Sequence, residues 1–236
     1  MTVDGVIFDW GGTLTPWWTS EDKGWRQLAS RLVSLERVEL VATALIVAEE
    51  EVWRRSREEE RSGTLEEIFA AAGLELTAEV LAIYDEWWDP HTYTDPDAHA
   101  TLSGLRERGI KVGVLSNTIW SARRHRQIFA RDGVLDLIDG AVYTSEIPWA
   151  KPHPEAFRAA MAALGVDDPG RCVYVGDRPF DDICGAQRVG MRAVLVPHSD
   201  IPVVQRGQTP CPPDAVIERL TDLLPVVDEW RWAGGL

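Results

Sequence analysis

The chain has little cysteine, little lysine, a shortage of positive charge and no long apolar run. Its 236 residues include three cysteines, Cys172, Cys184 and Cys211, with no C-x-x-C pair and an odd count that leaves at least one unpaired. Neither a disulfide framework nor a cysteine-based zinc site is expected. Cys172 and Cys184 read as small buried hydrophobes, and reducing, cytoplasmic conditions suit the count. The longest near-apolar stretch, Leu40 to Ala48, is too short to cross a bilayer. Asp4 and Asp9 interrupt the place where an apolar signal region would lie, so no leader is expected. With 38 acidic against 24 basic residues, the formal net charge is −14. Bulk charge will not hold such a protein to a nucleic-acid backbone or an anionic membrane. The expectation is a soluble cytoplasmic protein, monomer or homodimer, with neither nucleic acid nor membrane as partner. The lysines are Lys23, Lys111 and Lys151, all other basic residues being arginine. A lysine inside a motif therefore carries weight.

What is present is enough for a good core. A hydrophobic content of 45% over this length supports one core, or one core with a smaller inserted unit. Val3 to Asp9 reads as a short buried strand ending in a carboxylate, followed at once by Gly11-Gly12. After residue 90 the pattern alternates. Helices are expected from Asp95-Pro96 to Gly109, Trp120 to Arg131, Pro154 to Gly165 and Phe180 to Gly190. Strands are expected at Lys111 to Leu115, Gly140 to Ser145, Cys172 to Val175 and Met191 to Val196. The alternation predicts an α/β fold: a Rossmann-like parallel sheet with helices on both faces. A proline-rich tail (Pro202, Pro210, Pro212, Pro213) reads as loop, closed by a strand at Ala215 to Ile217 and a helix at Glu218 to Leu224.

Residues 16–90 break that rhythm. Val38, Val41, Leu45, Ala48 and Val52 form one helical stripe; Thr64 with Glu67 opens another helix, and Thr77 to Trp88 is a third. This predicts an all-helical insert of 16–90 within a core of 1–15 and 91–236. The insert holds nine of the fourteen excess negative charges. Its tryptophans (Trp25, Trp53, Trp87, Trp88) read as core, whereas Trp17 and Trp18 follow the glycine loop and could face a site. Arg123 to Arg126 and Glu58 to Glu60 read as solvated faces, and His153 and His198 as surface or packing residues.

In a parallel sheet the crevice lies beyond the carboxyl ends of the strands. Asp9, Ser116, Asn117, Lys151, Asp177, Asp181 and Asp182 fall there. Left uncompensated, so many carboxylates would repel one another by on the order of several kcal/mol. A divalent cation resolves the repulsion, and hard oxygen ligands favour Mg2+. The lysine and the Ser116 hydroxyl then have an anion to hold, for which phosphate is the obvious candidate.

FDWGGTL (Phe8 to Leu14), VLSNT (Val114 to Thr118), KPHPEAF (Lys151 to Phe157) and VGDRPFDDICGA (Val175 to Ala186) resemble, in order, the four motifs of the haloacid dehalogenase-like hydrolase superfamily. The insert resembles the helical C1-type cap of its subclass I. The resemblance implies that Asp9 is a nucleophile forming an aspartyl-phosphate and also a metal ligand. It implies further metal ligation by the Gly11 carbonyl, by Asp177, and by Asp182 or alternatively Asp181. Ser116, the Asn117 amide and Lys151 would hold the phosphoryl group; Gly12 and Trp17, by their place after Asp9, are candidate substrate contacts as well. The substrate would be a small phosphorylated metabolite.

One position departs from the pattern. Phosphatases of this superfamily usually carry a second Asp two residues after the nucleophile, and this chain has Gly11. An acid there is worth about 10²–10⁴-fold in rate. Three hydrolytic readings remain. One is a phosphohydrolase that borrows an acid or acts on acyl or aryl phosphates. Another is a phosphonate C–P hydrolase, which would need Lys23 as its Schiff-base lysine. The third is a 2-haloacid dehalogenase, against which Asp177, Asp181 and Asp182 argue. A catalytically weak homologue that binds a ligand or a protein is the non-enzymatic alternative.

Overall fold

The computed structural model describes residues 2–18, 24–197 and 211–232. Lys23, His198, Pro202 and Pro210 lie outside the described residues. Six parallel strands form one sheet: β1 (Gly5–Phe8), β2 (Lys111–Ser116), β3 (Gly140–Tyr143), β4 (Cys172–Gly176), β5 (Arg192–Leu195) and β6 (Ala215–Val216), in the order β3-β2-β1-β4-β5-β6. The helices of the insert are α1 (Trp25–Leu32), α2 (Val38–Glu59), α3 (Leu65–Ala71) and α4 (Ala78–Trp88). Those of the alternating part are α5 (Ala98–Glu107), α6 (Ala122–Arg131), α7 (Pro154–Leu164), the short α8 (Gly185–Arg188) and α9 (Leu223–Trp232).

The central strands are buried on both faces, which is why their sequences run apolar instead of alternating. Ile7, Leu115 and Tyr174 point to the side covered by α7, whereas Val6, Phe8, Val112, Val114, Val173 and Val175 join the opposite cluster. The α7 side approaches the sheet through glycines. A Cβ on Gly140 would stand 2.6 Å from the Ala163 carbonyl oxygen, and one on Gly113 would stand 3.0 Å from Leu164. The opposite cluster continues into the insert, reaching Trp25, Leu28, Leu45, Ile68, Phe69 and Tyr84.

Where the chain leaves and re-enters the sheet layer, the two strands of backbone are stitched together. The Asp95 amide donates to the Leu14 carbonyl at 2.8 Å, and Thr15 Oγ1 donates to the Tyr93 carbonyl at 2.7 Å. The far end of the insert also touches the sheet layer, with the Leu65 amide bonded to the Ile119 carbonyl and the Ala150 amide to the Glu60 carbonyl. A buried polar group holds the insert's own core. Glu49 accepts hydrogen bonds from Trp25 Nε1 at 2.8 Å and Trp53 Nε1 at 3.0 Å, beside the stacked pair Trp25 and Tyr84.

Several expectations are corrected. Cys184 is buried, but it is bonded to Cys211, with Cα atoms 5.3 Å apart, so it is not a free hydrophobe; Cys172 stays a buried thiol. The pairing joins residues 27 apart, and spacing alone does not reveal which loop returns to which helix. Arg124 and His125 are buried, while Arg123 and Arg126 are exposed. Arg124 reaches Asp89 at 2.7 Å and Asp85 at 3.3 Å, tying α6 to the end of α4. The expected helix from Phe180 begins as a wide π-type turn, Pro179–Cys184, in which the Asp182 and Ile183 amides share the Arg178 carbonyl. The last helix starts later and runs further than Leu224, because Pro225 falls in its first turn, where no donor is needed.

Candidate active site

The strand order reverses between β1 and β4: successive connections move outward through β2 to β3, and the chain then returns to the other side of β1. A ligand crevice belongs at the carboxyl ends of those two strands. Asp9 follows β1 and Asp177 follows β4, and the Asp9 amide donates to the Val175 carbonyl at 2.9 Å, holding the two ends level. The wide turn after β4 brings Asp182 to the same point. Carboxylate oxygens of Asp9, Asp177 and Asp182 lie within 4.8 Å of one another, and all three side chains are buried.

Two glycines make this convergence possible. Gly12 has φ +88°, and a Cβ there would lie 2.2 Å from Asp177 Oδ2. A Cβ on Gly176 would lie 2.3 Å from Asp182 Oδ2. Both carboxylates thus rest against bare backbone.

Lys151, on the loop before α7, is 1% exposed. Its Nζ lies 2.7 Å from Asp182 Oδ1, 3.0 Å from Asp9 Oδ1 and 2.7 Å from the Tyr174 hydroxyl, which in turn donates to the Leu115 carbonyl at 2.9 Å. Three acceptors satisfy the three ammonium hydrogens. The Asn117 side chain clamps the lysine's backbone from both sides, accepting from its amide at 2.8 Å and donating to its carbonyl at 3.0 Å. Burial disfavours the Lys151 charge, but Asp182 and Asp9 more than offset it and hold its pKa above the ordinary value. Burial raises the Asp9 carboxyl, with Lys151 opposing and Asp182 reinforcing the rise. Asp9 Oδ1 also accepts from the Trp10 amide at 2.7 Å, which fixes the carboxylate's orientation.

A second cation sits beside the first. The charge of Arg178 is disfavoured by burial and restored by Asp177, Asp181, Asp9 and Asp182, so its pKa lies above the ordinary value. Its guanidinium carbon stands 4.8 Å from the centre of the Trp17 ring. The benzo edge of that indole lies 3.9 Å from where a Gly11 Cβ would be. Asp181 does not join the three-carboxylate group; burial pushes its carboxyl up to about 6, with Arg178 pulling the other way.

Four carboxylates, Asp9, Asp177, Asp181 and Asp182, thus stand beside only two cations, Lys151 and Arg178. Buried carboxylate oxygens of this number and spacing are the donor set that a hard divalent cation takes. Mg2+ therefore fits the residues present.

The sequence-derived residues are sorted by this geometry. Asp9, Lys151, Asp177 and Asp182 meet directly, and Ser116 is buried at the carboxyl end of β2, beside β1. Asn117 spends its side chain on Lys151. Trp17 lies at Gly11, but Trp18 turns away to stack on His91, with ring centres 3.6 Å apart. His153 caps α7 through its Nδ1 and stacks on Trp149. Sequence reasoning missed Tyr174 and Arg178. A tyrosine in an otherwise apolar buried strand demands a partner for its hydroxyl, and that signal was available for Tyr174. Arg178 stands inside the fourth motif itself.

A doubly wound sheet with an acid at the end of its first strand and further acids after its fourth places a carboxylate site in the crevice of an α/β fold. The model of the haloacid dehalogenase-like hydrolases matches residues 3–190, and the chain belongs to that family. A glyceraldehyde 3-phosphate phosphatase of Methanopyrus kandleri is 33% identical over 154 residues, 65% of each chain. A phosphoglycolate phosphatase of Cereibacter sphaeroides is 34% identical over 123 residues, 51% of this chain and 53% of the relative. These matches span less than two thirds of the curated relatives' lengths. Among solved structures, a HAD phosphatase from Thermococcus onnurineus superposes with TM-score 0.67 at 25% identity, covering 95% of this chain and 98% of that one. An L-2-haloacid dehalogenase from Xanthobacter autotrophicus shares the fold, with TM-score 0.64 at 22% identity over 96% and 99% of the chains. Among the described residues no helix is long and apolar enough to cross a membrane.

Proposed function

We propose that the protein is a Mg2+-dependent phosphohydrolase that takes a small phosphorylated metabolite through an aspartyl-phosphate on Asp9. The observation that carries this reading is the convergence of three buried carboxylates and a fully bonded lysine at the strand-order reversal. Phosphatase names among the relatives support the same chemistry.

In this reading Asp9 attacks phosphorus, and the leaving oxygen departs with the electron pair of the broken P–O bond. Lys151 balances the charge that gathers between Asp9 and the phosphoryl group. Ser116, the Asn117 amide and the backbone at Gly12 hold phosphoryl oxygens. Asp9, Asp177 and Asp182 with the Gly11 carbonyl would hold Mg2+, and Asp181 is the nearest substitute. Bound there, the ion supplies charge neutralisation and Lewis acidity to phosphoryl oxygens. Residues 16–90 act as the cap over a core of 1–15 and 91–236, excluding water and choosing the substrate. The clustering of three buried carboxylates favours this reading over dehalogenation, which needs no cation.

The test is phosphate release from phosphomonoesters, acyl phosphates and phosphonates, with and without Mg2+, beside Asp9→Asn. Mg2+-dependent release abolished in Asp9→Asn supports the proposal; release that survives it refutes the nucleophile. An independent readout is thermal: Mg2+ should raise Tm by mass action, and Asp177→Asn should remove the shift.

A further inference from the structure

The place of the missing acid is bordered by an aromatic edge, with a cation over the face of that ring. The Trp17 ring edge lies 3.9 Å from the position a Gly11 side chain would start from, and Arg178 stacks on that ring with its guanidinium carbon 4.8 Å from the centroid. No proton donor replaces the absent carboxyl in this trio, because guanidinium keeps its proton at any working pH. A permanent cation packed on an aromatic face, and partly withdrawn from water, is a strong partner for a developing anion. The Arg178 guanidinium stands 3.8 Å from the Asp181 carboxylate, longer than a hydrogen bond, with its side chain 21% exposed.

We propose that Arg178, held by the Trp17 ring beside Gly11, stabilises the leaving oxygen as an anion in place of protonating it, which restricts good substrates to phosphates of acidic leaving groups: acyl, enol and aryl phosphates. The assignment rests on the phosphohydrolase reading above and deepens it. In the first step the Asp9 O–P bond forms and the P–O bond to the leaving group breaks. The bonding pair stays on the departing carboxylate, enolate or phenolate, which pairs with Arg178 and takes any proton from solvent after release. In the second step water attacks phosphorus, the Asp9 O–P bond breaks, and phosphate leaves with Asp9 regenerated. Alkyl phosphates are poor substrates because an alkoxide gains too little from an ion pair that cannot transfer a proton.

The experiment compares the wild-type protein, Arg178→Gln, Arg178→Lys and Gly11→Asp on acetyl phosphate, a series of substituted phenyl phosphates and an alkyl phosphate, with Mg2+ present. In the wild type, kcat/KM should fall steeply as the leaving group becomes more basic. Arg178→Gln should lose about 100-fold on the least acidic phenols and about 5-fold on acetyl phosphate, with Arg178→Lys between them. Gly11→Asp should flatten the dependence by restoring a donor. A change of slope is a result that misfolding or a merely structural role would not give, since those scale every substrate alike. Uniform loss across the series in Arg178→Gln overturns the proposal while leaving the phosphohydrolase reading intact. If Arg178→Gln does not fold, a wild type that cleaves alkyl and aryl phosphates equally well overturns it too. Silence of the wild type on every substrate overturns the underlying reading and this role with it.

Discussion

His125 should make this protein acid-sensitive over a defined pH window. Its ring is fully buried in α6, stacked on Tyr143 at 4.1 Å and edge-on to Trp10 at 4.8 Å. Nδ1 faces the Ser121 carbonyl at 3.1 Å, and Nε2 has no hydrogen-bond partner among the described residues. The charged groups nearby are the Arg124 guanidinium on the same helix and, outside the pocket, the carboxylates Asp85 and Asp89 paired with it. Burial lowers the His125 pKa from 6.5 to about 4; the Ser121 carbonyl opposes the shift and Arg124 adds to it. The sign follows from linkage. Between those values the unfolded chain binds the proton and the folded one does not, so stability is full above the unfolded pKa and falls with pH toward the folded one.

At about 1.36 kcal/mol per pKa unit the whole effect approaches about 3.4 kcal/mol. Relative to pH 7, the loss works out as about 1.2 kcal/mol at pH 5.5 and about 2.4 kcal/mol at pH 4.5. The assay is urea denaturation of wild type and His125→Phe at those three pH values. Because every other group titrates in both proteins, the difference between the two pH profiles isolates His125. The wild type should lose about 2 kcal/mol more than the variant by pH 4.5. Parallel profiles would refute the reasoning, since they would mean that the imidazole is hydrated or already charged in the folded state.

Other outcomes follow from the same structure. Glu49→Ala leaves the Trp25 and Trp53 indole N–H groups without their acceptor and should cost about 2–4 kcal/mol in urea denaturation, whereas Glu49→Gln, which keeps one acceptor oxygen, should cost about half as much. No loss in Glu49→Gln beside a large loss in Glu49→Ala would show that packing volume, not hydrogen bonding, matters there. Gly12→Ala drives a methyl group toward Asp177 Oδ2 at a positive φ, so Asp177 must move; turnover should drop by about 100-fold and the Mg2+-induced rise in Tm should vanish while the circular dichroism stays native. An unaltered Mg2+ shift would mean that Asp177 does not need its present position.

The parallel sheet, the helices α2 to α4 and the ends of most elements are legible along the chain because they are written in local chemistry. Apolar runs mark strands buried on both faces. Thr64 and Thr77 cap their helices through their own hydroxyls, and Pro154 and Gly165 bracket α7. The acids at the strand ends are legible for the same reason: in a doubly wound sheet, strand termini on one edge must converge. Local pattern could not reveal partners chosen across the fold. Arg124 looks like one member of a basic surface run, yet tertiary packing buries it against Asp85 and Asp89. Cys184 finds Cys211 across 27 residues, and Lys151 finds Tyr174 through the sheet.

The site divides along the same line. Sequence by itself determined which acids and which lysine stand at the carboxyl ends of the strands, since strand and turn chemistry are local. Only the tertiary structure decided that Asp182, and not Asp181, turns in to meet Asp9 and Asp177, because a single residue's offset in the wide turn after β4 rotates the side chain by roughly a third of a helical turn. Only the tertiary structure, too, laid the Trp17 ring at Gly11 with Arg178 upon it, because Gly11 and Trp17 meet Arg178 only when the loop after β1 closes against the turn after β4.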